Sequence, residues 1–386
     1  MSDVLIGGGA MTAFNRRKDG SSWRDWCLEA FHSALDDAGL VSCDIDALVV
    51  ASESDFFSLQ LNPAALIADE LGLQGIRLLR AEGGGATGHL AVQAGAALVA
   101  SGQARRVAVL GFEASAAHLD GASVGALYSL SYDAWSEGAL GIGSASIYAL
   151  SALAFMQETG ATAQDFARVA ARNRQNARQN HLAHLPLDVS EAEVLASPLV
   201  SAPYRRLDCS PLSDGAACVI LGSGADLPQR SGRARLAGMA VANDRVRLGD
   251  RAAPGRFVAK TVAMRAALAQ AGCASDAIGL IELYDSFSGA QLQALDALGL
   301  TDNVLTAERD GCFAADGALP VNLSGGLLGQ GAPVGATGVA QILAAAQQIE
   351  GRYHGCRPAQ PPRFALVDTH GGIATLCALS ILEGSV

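Results

Sequence analysis

Few residues of this chain combine a reactive type with a setting that could use it. Gly83-Gly84-Gly85-Ala86-Thr87-Gly88 satisfies the pattern GxGxxG. Between a strand and a helix, such a run lets the backbone approach a pyrophosphate at a positive helix end. Glu113 ends the next strand, about where a ribose-binding acid belongs. Tyr284 ends an apolar strand and is followed by Asp285; a phenol with a free pKa near ~10 suits proton donation or relay better than proton removal. His370 precedes Gly371-Gly372 in the last loop, where it could act as a general base oriented by Asp368. His89 follows Gly88 in the first turn of a helix whose positive end would hold its imidazole neutral. His181, His184 and His354 sit among polar residues and read as surface. The eight cysteines are scattered and no CxxC pair occurs, so neither a zinc ribbon nor a disulfide framework is indicated, and free buried thiols are the ordinary reading.

The elements that must position these groups follow from periodicity and punctuation. A first strand over 3–6 stops at Gly7-Gly8-Gly9. A helix over 22–38 has Ser22 as its cap, Gly39 as its stop, and apolar residues at helical spacing. Strands over 47–50, 76–79 and 106–110 alternate with helices over 63–71 and 87–100, which reads as an α/β layered domain. The stretch 114–205 differs: it has few strand signals and contains a polar helix over 163–180, so a long, mostly helical and partly exposed insertion is expected. The α/β rhythm resumes with strands over 216–221, 278–283, 364–367 and 374–382 and helices over 257–271, 290–298 and 336–348.

An internal echo ties the halves together. Gly-Ala-Thr-Gly opens a helix at 85–88 and again at 335–338, each time before an alanine-rich helix, a basic turn and a strand. Recurrence in one local context points to a duplicated α/β unit. Such a unit places two positive helix starts about one cleft, where they stabilise negative charge. The echo also weakens the dinucleotide reading, as do Arg77 and Arg80, which put charge in a strand that a parallel sheet would make apolar.

Composition bounds the rest. The 386 residues suffice for about two domains of typical length, and half of them are hydrophobic against 17% charged, so a large core is available and disorder is excluded as the main state. No apolar stretch reaches the ~18–20 residues of a membrane span; the best, 91–100, is shorter and carries Gln93. Met1-Ser2-Asp3 does not begin a secretion signal, so a cytoplasmic location is expected. A net charge of −11 argues against a nucleic-acid partner.

Three longer motifs carry a family resemblance. The stretch Arg206-Leu207-Asp208-Cys209-Ser210-Pro211-Leu212-Ser213-Asp214-Gly215-Ala216-Ala217 resembles the signature that ends the loop domain of sterol-carrier-protein-type thiolases. Asn322-Leu323-Ser324-Gly325-Gly326, running on to Gly338, is similar to that family's asparagine-led glycine-rich segment. Glu282-Leu283-Tyr284-Asp285-Ser286-Phe287 stands where the family carries Glu-Leu-His-Asp-x-Phe. The resemblance covers nearly the whole chain. It implies an α/β, thiolase-like, five-layered α-β-α-β-α fold: an N-terminal half from 1–113 and 206–228, a helical loop domain over 114–205, and a C-terminal half over 229–386. A homodimer is also implied.

The departures narrow the chemistry. The position of the family's nucleophilic cysteine, at the start of the first-half helix, is Gly85; the histidine of its Gly-His-Pro step is Ala332; that of its His-Asp-x-Phe motif is Tyr284. Where degradative thiolases keep a Cys and a glycine run, this chain has Asp368-Thr369-His370-Gly371-Gly372. Loss of nucleophile and base together implies either a noncatalytic CoA- or lipid-binding subunit or a reaction that needs no acyl-enzyme. Retro-aldol cleavage of a 3-hydroxyacyl-CoA is such a reaction, and cysteine-less thiolase-like aldolases that shorten steroid side chains resemble this pattern. Direct acyl transfer is the other enzymatic reading. The resemblance further implies coenzyme A thioesters as substrate with no other cofactor and no metal, Asn322 as a water- or oxyanion-holding residue, and an OB-fold and zinc-ribbon partner in trans. Arg172, Arg174 and Arg178 form a basic face that reads as an ordinary solvated helix side or, as the resemblance implies, as one that meets a CoA phosphate. Tyr128, Tyr132, Trp135 and Tyr148 would line a substrate tunnel or a dimer contact.

Overall fold

The computed structural model describes residues 3–16, 20–230 and 232–384; Met1 and Ser2, read above for the lack of a secretion signal, lie outside them. The first half runs β1 (Leu5–Met11), α1 (Trp23–Ala38), β2 (Ala47–Ala51), β3 (Arg77–Ala81), α2 (Thr87–Ala100), β4 (Arg106–Ala114) and, after the insertion, β5 (Asp214–Gly222). The insertion contributes α3 (Ser144–Thr159), α4 (Ala163–Ala177) and a small hairpin of Leu199–Ser201 with Tyr204–Arg205. The second half runs β6 (Arg235–Asn243), α5 (Val258–Ala271), β7 (Ile278–Leu283), α6 (Ser288–Leu298), α7 (Val334–Ile349), β8 (Phe364–Gly371) and β9 (Leu376–Glu383).

Strand order is β3-β2-β4-β5-β1-β6-β9-β8-β7, and the halves join edge to edge where Leu5 of β1 pairs with Arg235 of β6. On either side of that seam the pattern repeats. In one half β2 lies parallel to β4, then β5 and β1 follow antiparallel; in the other β7 lies parallel to β8, then β9 and β6 follow antiparallel. Even β3 leaves a trace: Val321 makes a single parallel bridge to Ile281 on the equivalent side of β7. The duplication expected from the repeated tetrad is therefore a duplication of topology.

Alternation along the strands builds the layers. Val49, Val107 and Val219 face inward onto α2 and α7, together with Leu280, Ala365 and Val367 from the second half. Leu48, Val50, Leu110 and Ile220 face outward under α1, against Trp26 and Phe31. Ile281, Leu366 and Leu379 face outward on the other side, against Ala263 and Met264 of α5 and against the insertion. Five layers result, with two buried helices at the centre. These two touch backbone to backbone: a Cβ on Gly88 would lie 2.7 Å from the Gly335 carbonyl oxygen, and one on Gly338 would strike the His89 amide. The repeated glycines thus set the close approach of the helix starts.

Several sequence readings need correction. The first strand does not stop at Gly7 but runs through to Met11, because at Gly8 a Cβ would lie 2.6 Å from the Ala38 amide nitrogen of α1. Strand β6 escaped the periodicity reading altogether. Arg77 and Arg80 are tolerated because β3 is the edge strand and its arginines meet solvent or Asp55. Helix α4 is not a solvated face, since it buries Asp165, Asn173, Arg174 and Asn176 beside Phe166 and Val169. Among the described residues no helix is long and apolar enough to cross a membrane.

Candidate active site

Two adjoining cavities open where the helix starts converge. The inner one, about 170 Å³, is lined by Gly85, Tyr284, Ala332 and His370 together with Tyr128, Tyr132 and Tyr148 of the insertion. The outer one, about 500 Å³, lies beyond Gly83, Gly84 and Gly371. Glu53, Tyr128, Ser131 and Gly372 line both.

At the corner of the inner cavity Tyr284 and Gly85 occupy one another's space. A Cβ on Gly85 would lie 2.6 Å from both the Tyr284 hydroxyl oxygen and its ring carbon, and would also strike the His370 carbonyl oxygen. The phenol tip stands where the first side-chain atom of any residue but glycine at position 85 would be. Burial and the charges of Glu53, Asp285 and Glu113 raise the Tyr284 pKa, so the hydroxyl stays protonated and acts as a donor.

His370 packs edge-on against Tyr284, with ring centroids 4.9 Å apart. Tyr148 donates its hydroxyl hydrogen to the Gly372 carbonyl at 2.5 Å, so the 2.9 Å contact with His370 Nε2 requires the imidazole to donate there. That leaves Nδ1 as the bare nitrogen, buried and without a hydrogen-bond partner. Burial, with Lys260 and Arg251 nearby, holds the His370 pKa well below its ordinary value, so the ring is neutral. Asp368 does not orient it as expected from sequence: its Oδ1 accepts from Lys260 Nζ at 2.6 Å in a fully buried ion pair.

Other sequence candidates fall outside the cavity. Asp285 is consumed by the backbone, accepting from the Leu327 amide at 2.6 Å and from Asn173 Nδ2 at 2.7 Å; burial pushes its pKa up to about 7. Asn322 Oδ1 accepts from the Leu283 amide at 2.7 Å and its Nδ2 donates to Gln291 at 3.1 Å. It fastens the end of β7 rather than presenting itself to a ligand. His89 lies behind α2 with Nε2 2.7 Å from Ser380 Oγ, and burial beside Lys260 pushes its pKa down to about 3.

The basic face on α4 does not form. Arg172 pairs with the buried Glu308, Arg174 is buried against the carbonyls of Leu207, Cys209 and Leu328, and Arg178 pairs with Asp188 at 2.6 Å. Trp135 is 95% exposed and does not join the three tyrosines in the cavity. His184 is half-buried and hydrogen-bonded to Ser213 rather than free on the surface, whereas His354 is exposed as expected, its Nε2 2.9 Å from Asn180 Oδ1. No cysteine lines either cavity among the described residues. Cys209, next to Ser210 of the lining, bonds to the Arg205 carbonyl, and burial pushes its thiol up to about 12. No group of three or more His, Cys, Asp or Glu residues could hold a metal among the described residues.

Glu113 is not open to a ribose. It is buried, and its Oε2 accepts from the Glu53 amide at 2.8 Å and the Gly335 amide at 3.1 Å. Glu53 itself was missed in the sequence, where it belongs to no motif. The only available signal was its place just past the carboxyl end of a buried parallel strand, where α/β sites gather.

Residues 240–384 match the thiolase C-terminal domain-like family. An acetyl-CoA acetyltransferase of Methanothermobacter thermautotrophicus is 35% identical over 99% of this chain and 100% of its own length. Human sterol carrier protein 2 is 27% identical over 90% of this chain and 66% of its length. The solved structure of an Ltp2-ChsH2(DUF35) aldolase superposes with a TM-score of 0.84 at 26% identity, covering 99% of this chain and 98% of that one.

Proposed function

The chain belongs to the thiolase superfamily, on its sterol-carrier-protein-2-like branch, and from that premise we propose that it cleaves a 3-hydroxyacyl-CoA by retro-aldol chemistry without an acyl-enzyme. It is an enzyme of acyl-CoA thioesters. The observation that carries the finer reading is the corner at Gly85, where the Tyr284 hydroxyl fills the space of the absent nucleophile.

The reaction proceeds as follows. The bare Nδ1 of His370 takes the proton of the 3-hydroxyl, the bond between C2 and C3 breaks, and a carbonyl product separates. The thioester enolate left behind is stabilised at the α2 start, where one pre-aimed donor is worth ~2.7–4 kcal/mol. Tyr284 then gives its hydroxyl proton to C2. Nothing in this sequence calls for a cysteine, a metal or a redox cofactor. The likeness to a solved aldolase supports it.

Acyl transfer without an acyl-enzyme is the second reading, supported by the relative named acetyl-CoA acetyltransferase. Two further parts of the proposal concern assembly. The two-component name of the similar aldolase supports a second subunit in trans, for which an OB-fold and zinc-ribbon protein is proposed, and the outer edge of β3, unpaired among the described residues, supports a homodimer. A lipid or steroid side chain as the acyl group and a cytoplasmic location complete the proposal.

The test incubates the protein with 3-hydroxyacyl-CoA, with and without that partner, and measures the ketone and the shortened thioester. Tyr284→Phe should lower turnover by ~10²–10⁴-fold with the fold intact. Formation of acetoacetyl-CoA and free CoA from acetyl-CoA, without cleavage of the hydroxy substrate, would replace this reading with the second.

A further inference from the structure

Glu53 belongs to no motif, yet among the described residues it is the one carboxyl group that lines both cavities. Its backbone is held firmly: its amide shares Glu113 Oε2 with the amide of Gly335, so one buried carboxyl fastens it to the start of α7. Its side chain is not held. Glu53 Oε2 is sealed from solvent and has no hydrogen-bond partner. Arg80, which shares an outer hollow with it, is committed to Asp55 and to the Ser52 carbonyl. The other groups around it are Glu82 and Glu113, which are acidic, and Tyr128, Tyr132 and Tyr284 across the cavity, all held protonated by burial. A carboxyl so placed, fixed at its backbone and unpaired at its tip, is where structure has been given up for chemistry.

We infer that Glu53 is the group that carries protons between the reaction cavity and the water of the outer cavity. The inference rests on the retro-aldol reading. After Tyr284 has protonated C2, its oxygen is a tyrosinate. The Glu53 carboxyl gives that oxygen its proton, restoring the phenol, and the carboxylate takes a proton from water in the outer cavity. His370 releases to solvent the proton it took from the 3-hydroxyl. Over one turnover a proton has left oxygen, a proton has reached carbon, and every protein group is restored. Burial and the charge of Glu82 push the Glu53 pKa up to about 8, which suits a group that must hold a proton at neutral pH and still release it.

The experiment uses the full chain, with any partner that activity requires, in deuterated water, and acetyl-CoA as probe of C2 exchange beside 3-hydroxyacyl-CoA cleavage. Glu53→Gln should slow both by ~100-fold, the order expected when one acid–base group is lost, and should erase the pH-dependent limb near 8. Added formate should restore part of the rate, and Glu53→Asp should retain part of it, neither of which a packing role would do. Far-ultraviolet circular dichroism and melting establish that the variants are folded. Wild-type rates and pH profile in Glu53→Gln overturn the inference. If the wild-type protein neither cleaves nor exchanges, the retro-aldol reading falls, and an infrared titration then decides on Glu53 separately. A carboxyl band that ionises near pH 8 and is missing in Glu53→Gln upholds its proton-holding role. Ionisation in the ordinary carboxylate range overturns it.

Discussion

The two Gly-Ala-Thr-Gly helix starts have the same sequence and equivalent places in the fold, but they are satisfied differently. At the start of α7 the Gly335 amide donates to the buried carboxyl of Glu113. At the start of α2 the nearby acid is the exposed Glu82, which accepts from the Gly84 amide at 2.9 Å, and Gly85 faces the cavity with the neutral Tyr284 hydroxyl against it. One helix start has its amide satisfied from within the protein and the other is left for an anion from outside. A duplicated unit thus becomes a site by closing one copy and opening the other.

The most severe way to break this comparison is Gly85→Cys. The new Cβ needs space held by the Tyr284 phenol and the His370 carbonyl, so at least ~100-fold of turnover should go with the displaced donor. A loss of about 1–3 kcal/mol of stability from overpacking is also expected. Intact-protein mass spectrometry should find no acetyl adduct after acetyl-CoA; a stoichiometric adduct would show that the open helix start still works as a nucleophile site.

Next in size is Glu113→Ala at the closed start. It strands two amide donors, those of Glu53 and Gly335, and should cost roughly 2 kcal/mol, measured by chemical denaturation. Glu82→Ala at the open start should stay within about 0.5 kcal/mol. Equal costs would mean that the two starts are not differently satisfied after all.

A pH-dependent effect sharpens the link between them through Glu53. Its carboxyl keeps its proton up to about 8 in the folded chain, whereas an unfolded glutamate releases it near ~4.3. Between those values the unfolded state binds fewer protons, so this group lowers stability as pH rises, and the penalty is absent below the lower value. Glu53→Gln should therefore melt higher than the wild type by a margin that widens from pH 5 to pH 8. A constant margin would place the Glu53 pKa in the ordinary range. A similarly small effect is expected from Arg178→Ala, whose exposed pair with Asp188 is worth under ~1 kcal/mol. A raised KM for acyl-CoA at unchanged kcat would nonetheless put CoA phosphate on α4.

The helix Trp23–Ala38 was legible because its cap Ser22, its stop Gly39 and its apolar spacing agree locally, and the helix Thr87–Ala100 because an unbroken run of small and apolar residues lies between two strands. Strand β6 was not, since Arg235–Asn243 mixes buried Leu236 and Ala237 with exposed Val241 and takes its place only by pairing with β9. Of the motif residues, Tyr284 and Gly85 reached the cavity, while Asp285 and Asn322 turned to backbone. Neighbours in a motif share a strand end, and alternation sends adjacent side chains to opposite faces. Arg172 illustrates the converse: a basic helix face looks solvated in sequence until Glu308 is brought against it.

What the sequence determined alone was the inventory: a repeated helix start, no cysteine near it, and a tyrosine and a histidine each beside the motif or glycine run that drew attention to it. Those are matters of residue type, order and local spacing, which survive without a fold. Only the tertiary structure decided that the Tyr284 hydroxyl occupies the space a side chain at Gly85 would need, that His370 is neutral with Nδ1 bare, and that Glu53 stands unpaired between two cavities. Each depends on contacts between residues far apart in the chain and on the water they exclude, and neither is written in any local run of residues.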